Sequence, residues 1–217
     1  MLKAMARRTA KTRAKPRVSD DRARASEQAG IEQRIVDAAL ALASERRWRE
    51  VALADIAERA GVALVDVYRH CPSKAAAVAA FLRRIDAAVL AGTRAEDGEQ
   101  EARDRLFDVI MRRFDALQPY KQAVASILAD TPADPVAALC GARPFLRSMA
   151  WMLEAAGLSA TGLAGRLRVH GLALVYGTTL RVWLNDDSAD LARTMAALDR
   201  NLRRAESLIK LLPAALR

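Results

Sequence analysis

The sequence predicts an all-α protein of about nine helices, with a three-helix helix-turn-helix unit ahead of a larger helical body. Three observations point there. Apolar residues recur every three to four positions from Ile31 to Leu212, and no run alternates convincingly with period two. Alanine and leucine dominate a 217-residue chain that is 52% hydrophobic and only 5% aromatic, which suits closely packed helices. Glycine and proline fall between the periodic runs, at Gly61, Pro72, Pro119 and Gly157.

The first segment is a basic tail, residues 1–24. It holds nine Lys/Arg against Asp20 and Asp21, so it supplies +7 of the net +9. The tail is expected to be disordered and to touch DNA phosphates or an anionic membrane. Its apolar residues are too sparse for an amphipathic presequence, and no signal-peptide core follows. Residues 25–74 carry seven Lys/Arg and eight Asp/Glu, so the high pI describes the tail and not the globule.

Ile31–Arg46 reads as the first helix, with Ile35, Ala38, Ala39 and Leu42 on one face. "RRWRE" breaks it. Leu53–Arg59 makes a short second helix, and Gly61 permits the sharp turn that follows. Ala63–His70 makes the third, which offers Leu64, Val65, Asp66 and Val67 outward. Pro72 stops it, and Ser73 caps a long fourth helix from Lys74 to about Leu90. These three short helices with their turn form a unit over 25–74. Residues 75–217 form the larger body.

In that body, Leu106, Ile110, Arg113/Phe114 and Leu117 mark one helix, and Pro119 opens another. A further helix breaks at Gly141–Pro144 and resumes to a stop at Gly157. Residues 163–184 are apolar nearly all round, which predicts a buried helix. "NDDSADL" offers Asp187 or Ser188 as a cap. Beyond it Leu191, Met195, Leu198, Leu202, Ala205, Ile209 and Leu212 form a heptad seam, which serves either as intramolecular core or, together with the preceding helix, as a dimer surface; Leu191, Met195, Leu198 and Leu202 are the candidate dimer contacts.

Catalytic chemistry finds no foothold, so no enzyme activity, cofactor or metal is expected. The two histidines do not share a helix face at metal spacing. There is no glycine-rich phosphate loop, no G-x-S-x-G, and Cys71 and Cys140 form no ligand pair. The expected location is the cytoplasm.

The stretch "RIVDAALALASERRWREVALADIAERAGVALVDVYRHCPSKAAAVAAFLRR" resembles the N-terminal domain of TetR-family transcriptional regulators. "DIAERAGV" and Tyr68, His70, Pro72, Ser73 and Lys74 carry the likeness. It implies a homodimeric repressor whose third helix enters the major groove of a double-stranded operator. It also implies that a small apolar ligand in the C-terminal domain swings the fourth helix, changes half-site spacing and releases DNA. The candidate DNA contacts are Arg47, Leu64, Val65, Asp66, Tyr68, Arg69, His70 and Lys74. Tyr68, His70 and Lys74 match phosphate-contacting positions, and Arg49 and Arg59 are further basic candidates. The candidate ligand liners are Met111, Phe114, Phe145, Met149, Trp151, Met152 and Tyr176, with His170 and Arg181 as polar groups. Several positions depart from the family pattern. Ala52 and Ala63 stand where hydroxyl caps are usual, Leu64, Val65 and Asp66 replace polar or small residues, and Cys71 replaces an aromatic.

A second likeness lies in "RVHGLALVYGTTLRVWLNDDSADLARTMAALDRNLRRAE". It resembles the C-terminal part of the coenzyme Q biosynthesis accessory protein that shares the TetR fold. This likeness implies an alternative, a lipid- or isoprenoid-binding accessory protein that does not read DNA.

Overall fold

The structure is a computed structural model that describes residues 18–93, 101–130 and 135–210. Every regular element among these residues is helical. In order they are α1 (Val18–Glu45), a 3-10 turn (Trp48–Glu50), α2 (Leu53–Ala60), α3 (Leu64–His70), α4 (Lys74–Ala91), α5 (Ala102–Leu117), a second 3-10 turn (Gln118–Tyr120), α6 (Lys121–Asp130), α7 (Pro135–Ala155), α8 (Gly162–Leu184) and α9 (Ala192–Lys210).

The head, α1 to α3, closes around a small apolar interior. α1 contributes Ile35, Val36, Ala39, Leu40 and Ala43, α2 contributes Ile56 and Ala57, and α3 contributes Val67. Gly61 adopts φ 61° and ψ 40°, a left-handed geometry that costs a side-chain-bearing residue about 1 kcal/mol or more. The turn between α2 and α3 uses the freedom glycine brings. Ser73 caps α4 by accepting the Ala76 N–H at 3.1 Å.

Several sequence expectations change. α1 begins at Val18, so residues 18–24 are helix; the remainder of the basic tail lies outside the described residues. Pro16 is the last breaker before that run, and the single Gly30 is tolerated within it. α7 runs unbroken through Gly141 and Pro144. Pro144 withholds the N–H that would meet the Cys140 carbonyl and crowds that carbonyl with its ring, yet the helix continues through it. Val67 does not face outward; it is wholly buried. α8 is not buried all round: Leu163, Leu167 and Leu174 are 64%, 44% and 73% exposed.

The α9 seam also turns inward. Leu191, Leu198 and Leu202 are buried in the chain's own core, and Met195 is half-buried beside them. Pairing α9 with α8 takes up Leu191, Leu198 and Leu202, so these three are core residues of the chain itself, and Met195 alone of the four keeps part of its surface exposed. The start of α9 is held differently as well. Leu191, at φ 53°, precedes the helix, and the fully buried Asp186 supplies the cap from eight residues away. Its carboxylate accepts the Thr194 N–H and hydroxyl at 2.8 and 2.7 Å and the Ser188 hydroxyl at 2.5 Å. These bonds, that from the Ser188 hydroxyl foremost, outweigh burial and hold its pKa well below the usual carboxylate range.

Candidate nucleic-acid interface and ligand-binding body

α3 presents one side to solvent and the other to the core. Val67 anchors it inward, which aims Leu64, Val65 and Tyr68 outward at 55%, 49% and 73% exposure. Asp66 is half-buried and pairs with the exposed Arg69 at 3.6 Å, one helical turn on. The pair cancels locally, so the middle of the exposed face carries little net charge. Neither α2 nor α3 has a side-chain cap, because Ala52 and Ala63 have no acceptor to offer. One compensation exists. Asp55 accepts the Ala52 N–H at 2.9 Å and meets Arg46 at 2.5 Å.

The basic candidates divide. Arg47 is exposed at the corner between α1 and the first 3-10 turn, and His70 is half-buried at the end of α3. Arg59 is held by both oxygens of Glu45 at 2.7 and 2.6 Å. Lys74 departs from the phosphate role. Its ammonium donates to the Trp48 and Val51 carbonyls at 2.5 and 3.1 Å and lies 4.9 Å from the Trp48 ring centroid. It is an internal tie between α4 and the corner after α1. The same corner is tied to α6: Trp48 N–H donates to Ser126 Oγ at 3.1 Å and Arg49 N–H to Asp130 Oδ2 at 2.8 Å. Cys71 fills the vacated aromatic position as a fully buried apolar group, with its thiol pKa pushed up to about 11 by burial.

In the body, six of the ligand candidates lie in or against the core that encloses Arg113, a residue that sequence reasoning assigned only to a helix stripe. Arg113 is fully buried. It donates through Nη1 to Asp86, which also accepts the Ser148 hydroxyl at 2.6 Å. Its guanidinium lies 5.4 Å from the Tyr176 ring, and Nη1 lies 3.9 Å from Met152 Sδ. Phe114 stacks on Tyr176 at 5.3 Å, and Phe145 meets the same ring at 5.9 Å. Met149 is buried in the same core, and Met111 packs against it. Burial raises the Tyr176 phenol's pKa, so it stays neutral. Arg113 Nε and Nη2 have no partner among the described residues.

Three candidates stand apart. His170 and Arg181 are exposed on the outer side of α8, with His170 Nδ1 2.8 Å from its own helix carbonyl at Arg166. They do not line an interior pocket. Trp151 is 46% exposed and lines a groove of about 490 Å³ between α4 and α7. Among the described residues no group of His, Cys, Asp and Glu is arranged to hold a metal ion, and no helix is long and apolar enough to cross a membrane.

Comparison with known proteins follows this division of the molecule. The family model described as bacterial regulatory proteins, tetR family, matches residues 35–81, from the C-terminal part of α1 into the first half of α4. The COQ9 family model matches residues 151–209, from the end of α7 through α9. Among solved structures, the chain is similar to the TetR transcriptional regulator from Nitrosomonas europaea ATCC 19718 at 26% identity and TM-score 0.65, over 81% of this chain and 98% of that one. It is similar to a TetR transcriptional regulator from Rhodococcus sp. RHA1 at 24% identity and TM-score 0.64, over 86% of this chain and 100% of that one. A tetR-family transcriptional regulator from Streptomyces coelicolor matches at 20% identity and TM-score 0.54, over 83% of this chain and 81% of that one. No curated protein matches the chain significantly. The chain has the TetR-regulator fold, with a TetR-type N-terminal domain and a COQ9-type C-terminal segment.

Proposed function

We propose that the chain is a dimeric, ligand-responsive DNA-binding regulator, a repressor rather than an enzyme. The observation that carries this reading is the delivery of α3. A left-handed glycine turn and a buried Val67 hold the helix so that Leu64, Val65, Tyr68 and Arg69 face solvent together. An outward helix of this kind fits a major groove, where apolar side chains read thymine methyl groups. Tyr68 and Arg47 supply phosphate contacts, and Asp66 bound to Arg69 keeps its carboxylate from repelling the backbone.

A second copy binds across α8. Leu163, Leu167, Leu174 and Thr178 line its outer side at helical spacing, and the open space at Gly171 and Gly177 permits close approach. These features support a dimer surface on α8, with His170 and Arg181 at its margin. The ligand enters by the groove between α4 and α7, whose Asp86 connects it through Arg113 to the aromatic core around Tyr176.

A competition shift assay tests the DNA reading. Operator binding that survives deletion of residues 1–24 and resists scrambled competitor supports it. Binding that vanishes with the tail, or that scrambled DNA displaces equally as salt rises, overturns it.

The COQ9 match favours a second reading, a lipid- or isoprenoid-binding accessory protein without sequence-specific DNA binding. The apolar α3 face, with Asp66 and Arg69 paired, supports the same alternative. Mass spectrometry of gently purified protein decides it. A co-purifying apolar molecule together with no specific DNA retention favours the accessory role. A clean apo mass counts against it.

A further inference from the structure

We propose that the groove between α4 and α7 takes an amphiphile with an anionic head, a carboxylate or phosphate on an apolar chain. The inference rests on the ligand-responsive reading above and names the chemistry of its ligand. α4 lines the groove with Ala79, Leu82, Asp86, Ala87 and Leu90, and α7 with Pro144 and Trp151. Three arginines, Arg83, Arg143 and Arg147, complete the lining.

The charges decide the ligand. Asp86 is the one carboxylate in the lining, and Arg113 and Ser148 already engage it from the core side. Arg83 is paired with Glu32 of α1 at 2.9 Å. Arg143 and Arg147 have no acidic partner among the described residues. They stand one turn apart on α7, with Trp151 one turn further on. The groove therefore has two uncompensated guanidinium groups beside an apolar floor. A guanidinium grips a carboxylate or phosphate through paired N–H bonds, and the indole together with Leu82 and Leu90 covers a chain. A volume of about 490 Å³ falls in the range of small-molecule sites.

The position has a regulatory consequence. The groove's α4 wall belongs to the helix whose first residue, Lys74, is tied to the head. An occupant wedged between α4 and α7 acts on the element that carries the DNA-facing unit.

The test is a titration of the full chain with decanoate, decyl phosphate, decanol, inorganic phosphate and anionic phospholipid vesicles. Trp151 is the exposed tryptophan of the three, and Trp48 and Trp183 are buried, so quenching of tryptophan emission reports the groove. The expected result is saturable binding of decanoate and decyl phosphate. Decanol and inorganic phosphate should bind at least roughly tenfold more weakly, as should the amphiphiles to an Arg143→Ala/Arg147→Ala variant. Arg143 and Arg147 are both exposed, so the double substitution should leave the fold intact. Equal binding of decanol, or unchanged affinity in the double variant, overturns the proposal. Binding to vesicles alone also overturns it, since it would place the arginines on a membrane surface. Operator retention measured on the same preparations separates the two readings. Retained operator binding without amphiphile binding sinks the groove alone. Amphiphile binding without operator binding sinks the regulator alone.

Discussion

Between Glu27 and Ile85 the interior is apolar. Ile35, Ile56, Val67 and Phe81 meet there, and the charged groups pair at the rim: Arg46 with Asp55, Arg59 with Glu45, Arg83 with Glu32. From Asp86 onward the interior also takes in Arg113, Ser148, Thr179, Asp186 and Thr194. Among the described residues, every buried polar or charged side chain lies in this second region. The difference has a physical consequence. An apolar interior holds a shape but recognises little, because apolar contacts are undirected. A buried guanidinium or carboxylate fixes one arrangement and penalises others. The head is a rigid support for its exposed helix. The body is where selectivity for a small molecule can reside.

Deletions should rank accordingly, and a reversed order would break the comparison. Arg113→Leu should cost the most, about 3–5 kcal/mol in urea denaturation, because it strands Asp86 as a buried charge. Restoring much of that loss with Asp86→Leu in the same chain would sharpen the point.

Asp186→Ala comes next, at about 2–3 kcal/mol, since it orphans buried donors of Thr194. Its pH signature is specific. The folded pKa lies below the unfolded value of roughly 4. Stabilisation by the ionised group is therefore complete above that value and is lost as pH falls below it. An acid titration of the melting temperature should flatten in Asp186→Asn.

In the head, Ser73→Ala should cost about 1 kcal/mol by removing the α4 cap. Replacing Arg59 with Ala should barely move the denaturation midpoint, and any change should shrink further in salt, because its pair with Glu45 is exposed.

The same division explains what the sequence could convey. Gly61 and Ser73 were legible because a turn and a cap each need a particular residue type at a particular place. The phase of α5 carried more than a helix. Arg113 falls three residues after Ile110 and four before Leu117, on the buried stripe, while its neighbour Arg112 does not. That phase was the available signal for a buried cation. The side of α8 was not legible, because an apolar surface looks alike whether its own chain or a second copy covers it. Nor was Pro144 as an interior residue of α7, since proline is also a common breaker. The bonds from Trp48 and Arg49 to Ser126 and Asp130 span about eighty positions and leave no local trace.

Lys74 works as a rivet. Its two carbonyl bonds fasten the first residue of α4 to the corner where α1 ends. A rivet passes on rotation without stretching the plates it joins. In the proposed regulator, a tilt of α4 would carry the head with it through this tie. Lys74→Met should uncouple that transmission, leaving DNA affinity in place while blunting its response to an occupant of the body.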